Sequence, residues 1–519
     1  MSTHYTEIPN GWLSCKFDDI LDVIRGVSFP KNAKSTSYSD GLVACLRTAN
    51  VQREVEWDDL WFVPKEHIKR DEQYVRQYDI LISTANSLYL VGKVALVREL
   101  PYESTLGAFI SIIRTPKAIN PKFAFYMLST YEIQSSIRSM ASTTTNISNV
   151  STTKLKELNL RLAPLPEQRR IVTKIEELFS RLDAGVEALE KVRAQLKLYR
   201  QSVLKAAVEG RLTADWREQH KSELEPASEL LKRILAERRK AWETDQLARF
   251  KANGKTPKDD KWKKKYKEPE PPDTNDLSDI PDDWNWVYFE HLYHAAQNGL
   301  SKRKSNNGIP YKVLRLADIK DNKVIDDNSR TIQLTEEEFN KYGLNKSDIL
   351  CIRVNGSRNL TGQIIHFDRN DKWAFCDHLI RFFIVSEVVL PEYLFFYFQT
   401  QTARQNIEKM MVTTAGQNTV SQPSMASTPV AIPSIEEQKE IIKQIDRFFS
   451  ITDKIEESLD TELINSEKLR QSILKKAFSG KLVPQDPTDE SAEKLLQRIK
   501  AEKEKSAKQI RRKKTKGKT

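Results

Sequence analysis

Between residues 165 and 212, apolar side chains recur in steps of three and four: Ile171, Ile175, Leu178, Leu182, Val186, Leu189, Leu196, Tyr199 and Val203. Such spacing places them on one stripe of an α-helix that buries a single side. A second run repeats the pattern at Ile441, Ile445, Phe448, Leu459, Leu463, Leu469 and Ile473. Each run starts after prolines (Pro164 and Pro166; Pro433) and stops at a glycine (Gly210; Gly480), the expected start and stop signals. Forty-odd helical residues span about 60–65 Å, too long for an ordinary globular core, so the spacing predicts that the two rods pair. Two separate helical hairpins of common ancestry are the alternative.

The rods are copies of one another. Glu167-Gln168 matches Glu437-Gln438, Phe179-Ser180 matches Phe449-Ser450, Asp183 matches Asp453, and Arg200-Gln201-Ser202 matches Arg470-Gln471-Ser472. The offset is 270 throughout and no gap is needed over 46 positions. A fainter repeat of about 160 residues lies upstream of each rod, a period that points to duplicated domains. Its copies open with Ile8-Pro9-Asn10-Gly11-Trp12 and Ile280-Pro281-Asp282-Asp283-Trp284. Later, Leu46-Arg47 echoes Leu314-Arg315, and Asp79-Ile80-Leu81 echoes Asp348-Ile349-Leu350. Short β-branched runs (DILISTA, GKVALV, DILCIR, GQIIHF) read as strands, while FAFYMLSTYEIQSSI and YLFFYFQTQTARQNI read as amphipathic helices. The plan is a mixed α/β globule, a rod and a short helix, then the same again. LLKRILAE at 230–237 recurs as LLQRIKAE at 495–502, and the polar stretch before residue 280 reads as an exposed linker.

Composition changes this picture little. A chain of 519 residues with 39% hydrophobic and 30% charged residues suits two to four packed domains. No segment approaches the ~18–20 apolar residues of a membrane helix. Cys15, Cys45, Cys351 and Cys376 are scattered, which suits reduced thiols in a cytoplasm. The net charge is +11, but the last 23 residues, from Gln497, carry eleven Lys and Arg against two Glu, which leaves +2 for the rest. Bulk charge therefore supports nucleic-acid contact only weakly, and the basic tail is expected to add non-specific affinity.

Catalytic motifs are missing. The tripeptide GKT occurs at 254–256 and 517–519, but Arg249 and Arg512 stand where a phosphate loop needs glycine. PEPPDT lacks both end residues of an amino-methyltransferase loop, and His366 and His378 read as structural. No metal site is expected. The chain reads as a binder.

The globules carry groups able to meet DNA. Polar, turn-forming runs precede each rod at equivalent places, with candidates Thr145, Asn146 and Ser148 in the first and Gln417, Asn418 and Ser421 in the second. Their amides and hydroxyls suit phosphates or base edges, although such runs also serve as plain connectors. Basic and polar candidates are Arg25, Lys31, Arg47, Arg53, Thr84 and Asn86 in the first globule, and Lys302, Arg303, Lys304, Arg353, Asn355 and Arg358 in the second.

Two divergent globules, each followed by "PLPEQRRIV…RQSVLKAAVEGRL" or "PSIEEQKEII…RQSILKKAFSGKL", resemble the specificity subunit of type I restriction-modification systems. The likeness covers essentially the whole chain. It implies an α+β fold: two target recognition domains separated by two long helices that form an antiparallel coiled coil, with a pseudo-twofold internal repeat. Expected boundaries are 1–163 and 280–432 for the recognition domains, 164–212 and 433–482 for the rods, 213–279 for helix and linker, and 483–519 for a short helix and basic tail. The resemblance further implies a non-catalytic chain that reads an asymmetric, interrupted site on double-stranded DNA. Its partners would be two methyltransferase and two restriction (motor) subunits, with S-adenosylmethionine, ATP and Mg on those partners and no cofactor here. A coiled-coil scaffold that binds proteins without reading DNA is the competing class.

Overall fold

The computed structural model describes residues 8–144, 147–275 and 277–516, with 506–516 as helix backbone alone. Thr145 and Asn146, and the last three residues of the basic tail, lie outside the described residues. The chain forms two compact units: Met1–Glu190 with Asp460–Thr519, and Lys191–Leu459.

In the first unit a four-stranded antiparallel sheet runs in the order Asp22–Arg25, Ile110–Arg114, Ile80–Ser83, Val94–Leu96. Ile80–Ser83 is buried at every position, as the apolar run Ile80-Leu81-Ile82 requires of a strand covered on both faces. Trp61–Pro64, Leu42–Leu46 and Ser104–Leu106 make a second sheet. Leu13–Lys16 pairs with Asn159–Leu162, which delivers the chain into the first long helix, Leu165–Val208.

The second unit repeats this order. Its large sheet runs Tyr293–Asn298, Leu379–Ile384, Asp348–Ile352, Ile364–Phe367, and its smaller one Thr331–Leu334, Ile309–Leu314, Trp373–Phe375. Asn285–Tyr288 pairs with Pro429–Ile432 ahead of the second long helix, Ile435–Phe478.

Each amphipathic run expected as one helix is two, Pro121–Leu128 with Tyr131–Ser139 and Pro391–Tyr397 with Gln401–Lys409. The break is a threonine. Thr130 Oγ1 accepts from Ile133 N and donates to Met127 O, and Thr400 does the same with Ala403 N and Tyr397 O. A side chain that offers the backbone this alternative starts a new helix.

The long helices contribute half of each pairing to each unit. In the first, residues 165–190 run antiparallel to 460–478: Arg470 donates to Asp183 at 2.5 Å, and Arg161 to the Phe478 carbonyl at 3.2 Å. In the second, residues 191–208 run antiparallel to 435–459, and Arg200 pairs with Asp453 and with Glu456 at 3.5 Å. Asp183–Arg470 and Asp453–Arg200 are the same pair at the 270-residue offset, with the two helices exchanging roles.

The apolar stripe is most deeply buried where each helix enters a globule. Ile171 and Ile175 join Ile473, Leu474, Ala477 and Phe478 in one core, where Phe478 meets Phe123 at 5.1 Å between ring centroids. Val203, Leu204, Ala207, Ile441 and Ile445 enter the other. Leu196 and Leu459 are buried, whereas Leu178, Leu182, Leu189, Phe448 and Leu463 are half-buried. Leu469, predicted in the stripe, is 51% exposed. Arg470 takes the seam position beside it, its guanidinium 4.2 Å from the Phe179 ring centroid while it pairs with Asp183.

The stretch read as an exposed linker is tied down. A 3-10 turn, Asp260–Lys265, returns to the helix Ala227–Ala252, and Trp262 stacks on Trp242 with centroids 5.9 Å apart. Among the described residues, no helix is long and apolar enough to cross a membrane.

Candidate nucleic-acid interface

The motifs that the sequence repeats meet in space and fix each globule to its rods. In the second unit Trp284 Nε1 donates to the buried Glu437 at 2.9 Å, and Thr213 and Arg217 donate to its other oxygen at 2.7 and 3.0 Å. Gln438 accepts from Leu390 N and donates to the Val388 and Pro433 carbonyls. Gly210, at φ +71°, lies so close to Pro281 that a Cβ would fall 2.4 Å from its Cγ. The first unit uses Gln168 alike, bonded to Asn120 N and Ala163 O, and seats Pro9 against Gly480. There Trp12 Nε1 and Glu167 Oε1 are both buried and without a hydrogen bond of normal geometry.

On this frame each globule presents a small three-stranded sheet. In the first, Ile147–Asn149 lies between Ser142–Thr144 and Ala85–Asn86; in the second, Gln417–Thr419 lies between Val412–Thr414 and Val354–Asn355. A turn follows the edge strands Ala85–Asn86 and Val354–Asn355, closed by Leu90 N to Ser87 O and by Leu360 N to Ser357 O. Just before each of these edge strands one more equivalent pair is bonded, since Thr84 N donates to Phe109 O and Arg353 N to His378 O.

Several residues expected to read bases instead hold these sheets together. Ser148 is buried and bonds Thr143 Oγ1 at 2.9 Å. Asn418 is buried, accepts from Thr413 Oγ1 at 2.8 Å and donates to the Gly356 carbonyl at 3.1 Å. Thr84 is buried and donates to Phe109 O. Asn86 and Asn355 accept from Ser87 N and Ser357 N to shape the turns, and Ser421 caps a short helix through Ser424 N. Gln417 is exposed and makes no side-chain hydrogen bond among the described residues.

The basic candidates divide in the same way. Arg47 pairs with Asp59, and its counterpart Arg315 with Asp318; both brace loops. Arg53 reaches the rod and donates to Asp183 at 2.6 Å, which makes it a fastener between globule and helix. Lys302 pairs with Glu338, and Arg303 grips Asp377 with two bonds. Arg25 donates to Thr152 Oγ1, Arg353 to Asp377 O, and Arg358 to Glu408 O. Lys31 and Lys304 are exposed without an ion pair among the described residues. Lys302, Arg303, Arg315, Arg330 and His378 line a recess of about 310 Å³ together with Val313, Ile332 and Cys376, and Glu338, Asp377 and Asp318 already pair with three of its cations.

Cys376, Asp377 and His378 bring three possible metal ligands within 4.8 Å of one another. Arg303 already holds the carboxylate, and burial pushes the Cys376 thiol pKa up, so the cluster favours a neutral thiol over a ligand.

Sequence reasoning missed the exposed apolar groups of the first face. Tyr89 is 87% exposed on its turn, flanked by Leu88 and Leu90, with Phe109 at 61% and Ile147 at 52%. Their counterparts in the second globule are largely polar, with Arg358 and Asn359 on the turn and His378 bonded next to the edge strand. A lone aromatic between apolar residues gives no sequence signal of exposure, because the same pattern marks core.

Residues 9–196 and again 281–465 match the type I restriction modification DNA specificity domain. The chain is 30% identical over 506 residues to the specificity subunit of the StySPI type I restriction enzyme of Salmonella potsdam, covering 96% of both. It is 27% identical over 507 residues to the EcoKI specificity subunit of Escherichia coli strain K12, again covering 96% of both. A solved chain from work on complex assembly and conformational transition of the type I R-M system has the same fold, with a TM-score of 0.59 and 16% identity over 92% of this chain and 99% of that one. With the duplicated domain matched twice and the likeness running nearly end to end, the chain belongs to the type I restriction-modification DNA specificity family, as a non-catalytic DNA sequence-specificity subunit.

Proposed function

We propose that the two small sheets and their turns are the reading faces, each addressing one half of an interrupted, asymmetric site on duplex DNA. The observation that carries this reading is the contrast between equivalent positions. One frame presents Tyr89 and Phe109 in the first globule but Asn359 and His378 in the second. Aromatic and aliphatic groups favour thymine methyls and stacked bases, whereas Arg, Asn and His favour hydrogen bonds to purine edges. Chemically unlike faces read unlike half-sites.

The rods would dock two methyltransferase subunits, and two restriction subunits in the full complex. Exposed apolar residues on the helices of the second unit support this, among them Leu198 at 71% and Ile451 at 49%. S-adenosylmethionine, ATP and Mg would be held by those partners, in a cytoplasm where the four buried thiols stay reduced. Replacing Tyr89 and Phe109 with serine should change one half of the methylated motif and leave the other intact, read by methylome sequencing of a host carrying the complete system. A motif unchanged in both halves removes these residues from the reading face.

A further inference from the structure

The excess of positive over negative charge in this chain is confined to two segments. Residues 249–267 hold nine Lys and Arg against two Asp, a net +7. Together with the tail at +9, they leave −5 for all the rest of a chain whose total is +11. The internal segment starts at the end of the helix Ala227–Ala252 and the tail makes up most of the helix Ala492–Lys516, each the helix that succeeds a rod, and both contain the tripeptide Gly-Lys-Thr, at 254–256 and 517–519. The duplication therefore includes these helices and the basic residues at their C-terminal ends.

Within the second unit the internal segment is built to hold its charges in place. A lysine-rich run repels itself and would ordinarily stay unfolded. Here Trp262 stacks on Trp242 at 23° between ring planes and meets Phe250 edge-on, while Tyr266 meets Trp242 at 5.4 Å. Arg238 lies 5.3 Å from the Tyr266 ring centroid and donates to the Lys267 carbonyl. The alternation Lys-Trp-Lys-Lys-Lys-Tyr-Lys thus half-buries its aromatic members and leaves Lys261, Lys264, Lys265 and Lys267 exposed. Lys261 has Asp259 at 3.1 Å, but Lys251, Lys255, Lys258, Lys264, Lys265 and Lys267 have no ion pair among the described residues.

We infer that the turn 253–267 is a phosphate-contacting arm, which grips duplex DNA through its backbone without reading bases. A polyanion is the partner that charge complementarity selects, and the subunit is itself a DNA reader whose remaining surface is net acidic. Fixed lysines on an aromatic mount also spare the ordering cost that a loose tail would carry on binding. This site is separate from the reading faces, so the two can be tested apart.

The test is Lys261→Gln/Lys264→Gln/Lys265→Gln/Lys267→Gln in the full-length chain, with binding to a random-sequence duplex measured against salt. Each phosphate contact contributes about 0.9 to the slope of log affinity on log salt, so four lost contacts should make it shallower by about 3–4. The methylated motif in cells should stay the same. An unchanged slope overturns the inference, and so does loss of partner-subunit assembly with an unchanged slope, which would assign the arm to a protein. A changed motif would mean that the arm reads bases, and would also sink it. Trp262→Ala keeps every charge but removes the mount; a loss of non-specific affinity of about threefold or more is expected, and wild-type affinity would show that fixing the lysines is irrelevant.

Discussion

At the scale of single residues, the same buried glutamate is held by different hydrogen bonds in its two copies, although burial raises the pKa of both. Glu437 is saturated by Trp284, Thr213 and Arg217, whereas Glu167 keeps one buried oxygen without a hydrogen bond. Trp284→Phe keeps the packing but strands part of a buried carboxylate, and should cost about 1–3 kcal/mol, read as a lower Tm of the second unit. Burial pushes the Glu167 pKa above its ordinary value of 4.5. A raised folded-state pKa means that this residue's stabilising contribution is complete at acidic pH and declines as pH rises through the raised value. Glu167→Gln should therefore raise Tm at neutral pH relative to the native chain and flatten its decline from about pH 4.5 upward. Thermal melts of both proteins across pH 4–8 check the sign. The repeated Trp and Glu were visible in the sequence as a motif; that they meet was not, since 153 residues separate Trp284 from Glu437.

At the scale of elements, the rods were legible because a 3.6-residue period sustained over forty residues marks an amphipathic helix and little else. Their mode of burial was not. Leu469 has the right spacing, yet Arg470 occupies the seam, because an arginine stem can lie on Phe179 while its head pairs with Asp183. Nor could polarity reveal that residues 260–266 are anchored, since Trp262 and Tyr266 find their partners only after the helix 227–252 has formed. Ile175→Asp puts a charge into a fully buried site and should cost several kcal/mol, enough to unfold the first unit in a denaturant titration. Leu182→Asp, at a half-buried position, should cost clearly less. Gly210→Ala combines a left-handed backbone with a clash on Pro281; about 1–2 kcal/mol from the backbone alone is expected, plus whatever displacing the proline adds.

At the scale of the whole molecule, the frame was readable from repetition and the readers were not. Residues that recur in both copies, such as Gln168 and Gln438, turn out to fasten globule to helix. Recognition has to lie where the copies differ, and difference alone does not say which side chains are exposed. Ser148 and Asn418 look like readers on paper and are interior pegs. Replacing residues 1–150 with the equivalent block of a relative should alter one half of the methylated motif and preserve the other, as seen in the host methylome. A swap that changes both halves, in a folded protein, contradicts independent reading.

The first unit draws its core from two segments far apart in the chain, before residue 191 and after residue 459. Residues 10 and 11 bond Gln485 and Ala492, and Phe123 rests on Phe478. On the ribosome, the globule that is started first must wait for the segment from Asp460 onward before its floor is laid. At about 5–20 residues per second that wait is tens of seconds, during which Ile171, Ile175 and Phe123 have no permanent cover. The second globule, whose parts are contiguous from 191 to 459, can close in the meantime. Order of synthesis and order of completion are thus reversed in this chain, and a released chain truncated just after residue 460 would contain every part of the second unit but not of the first.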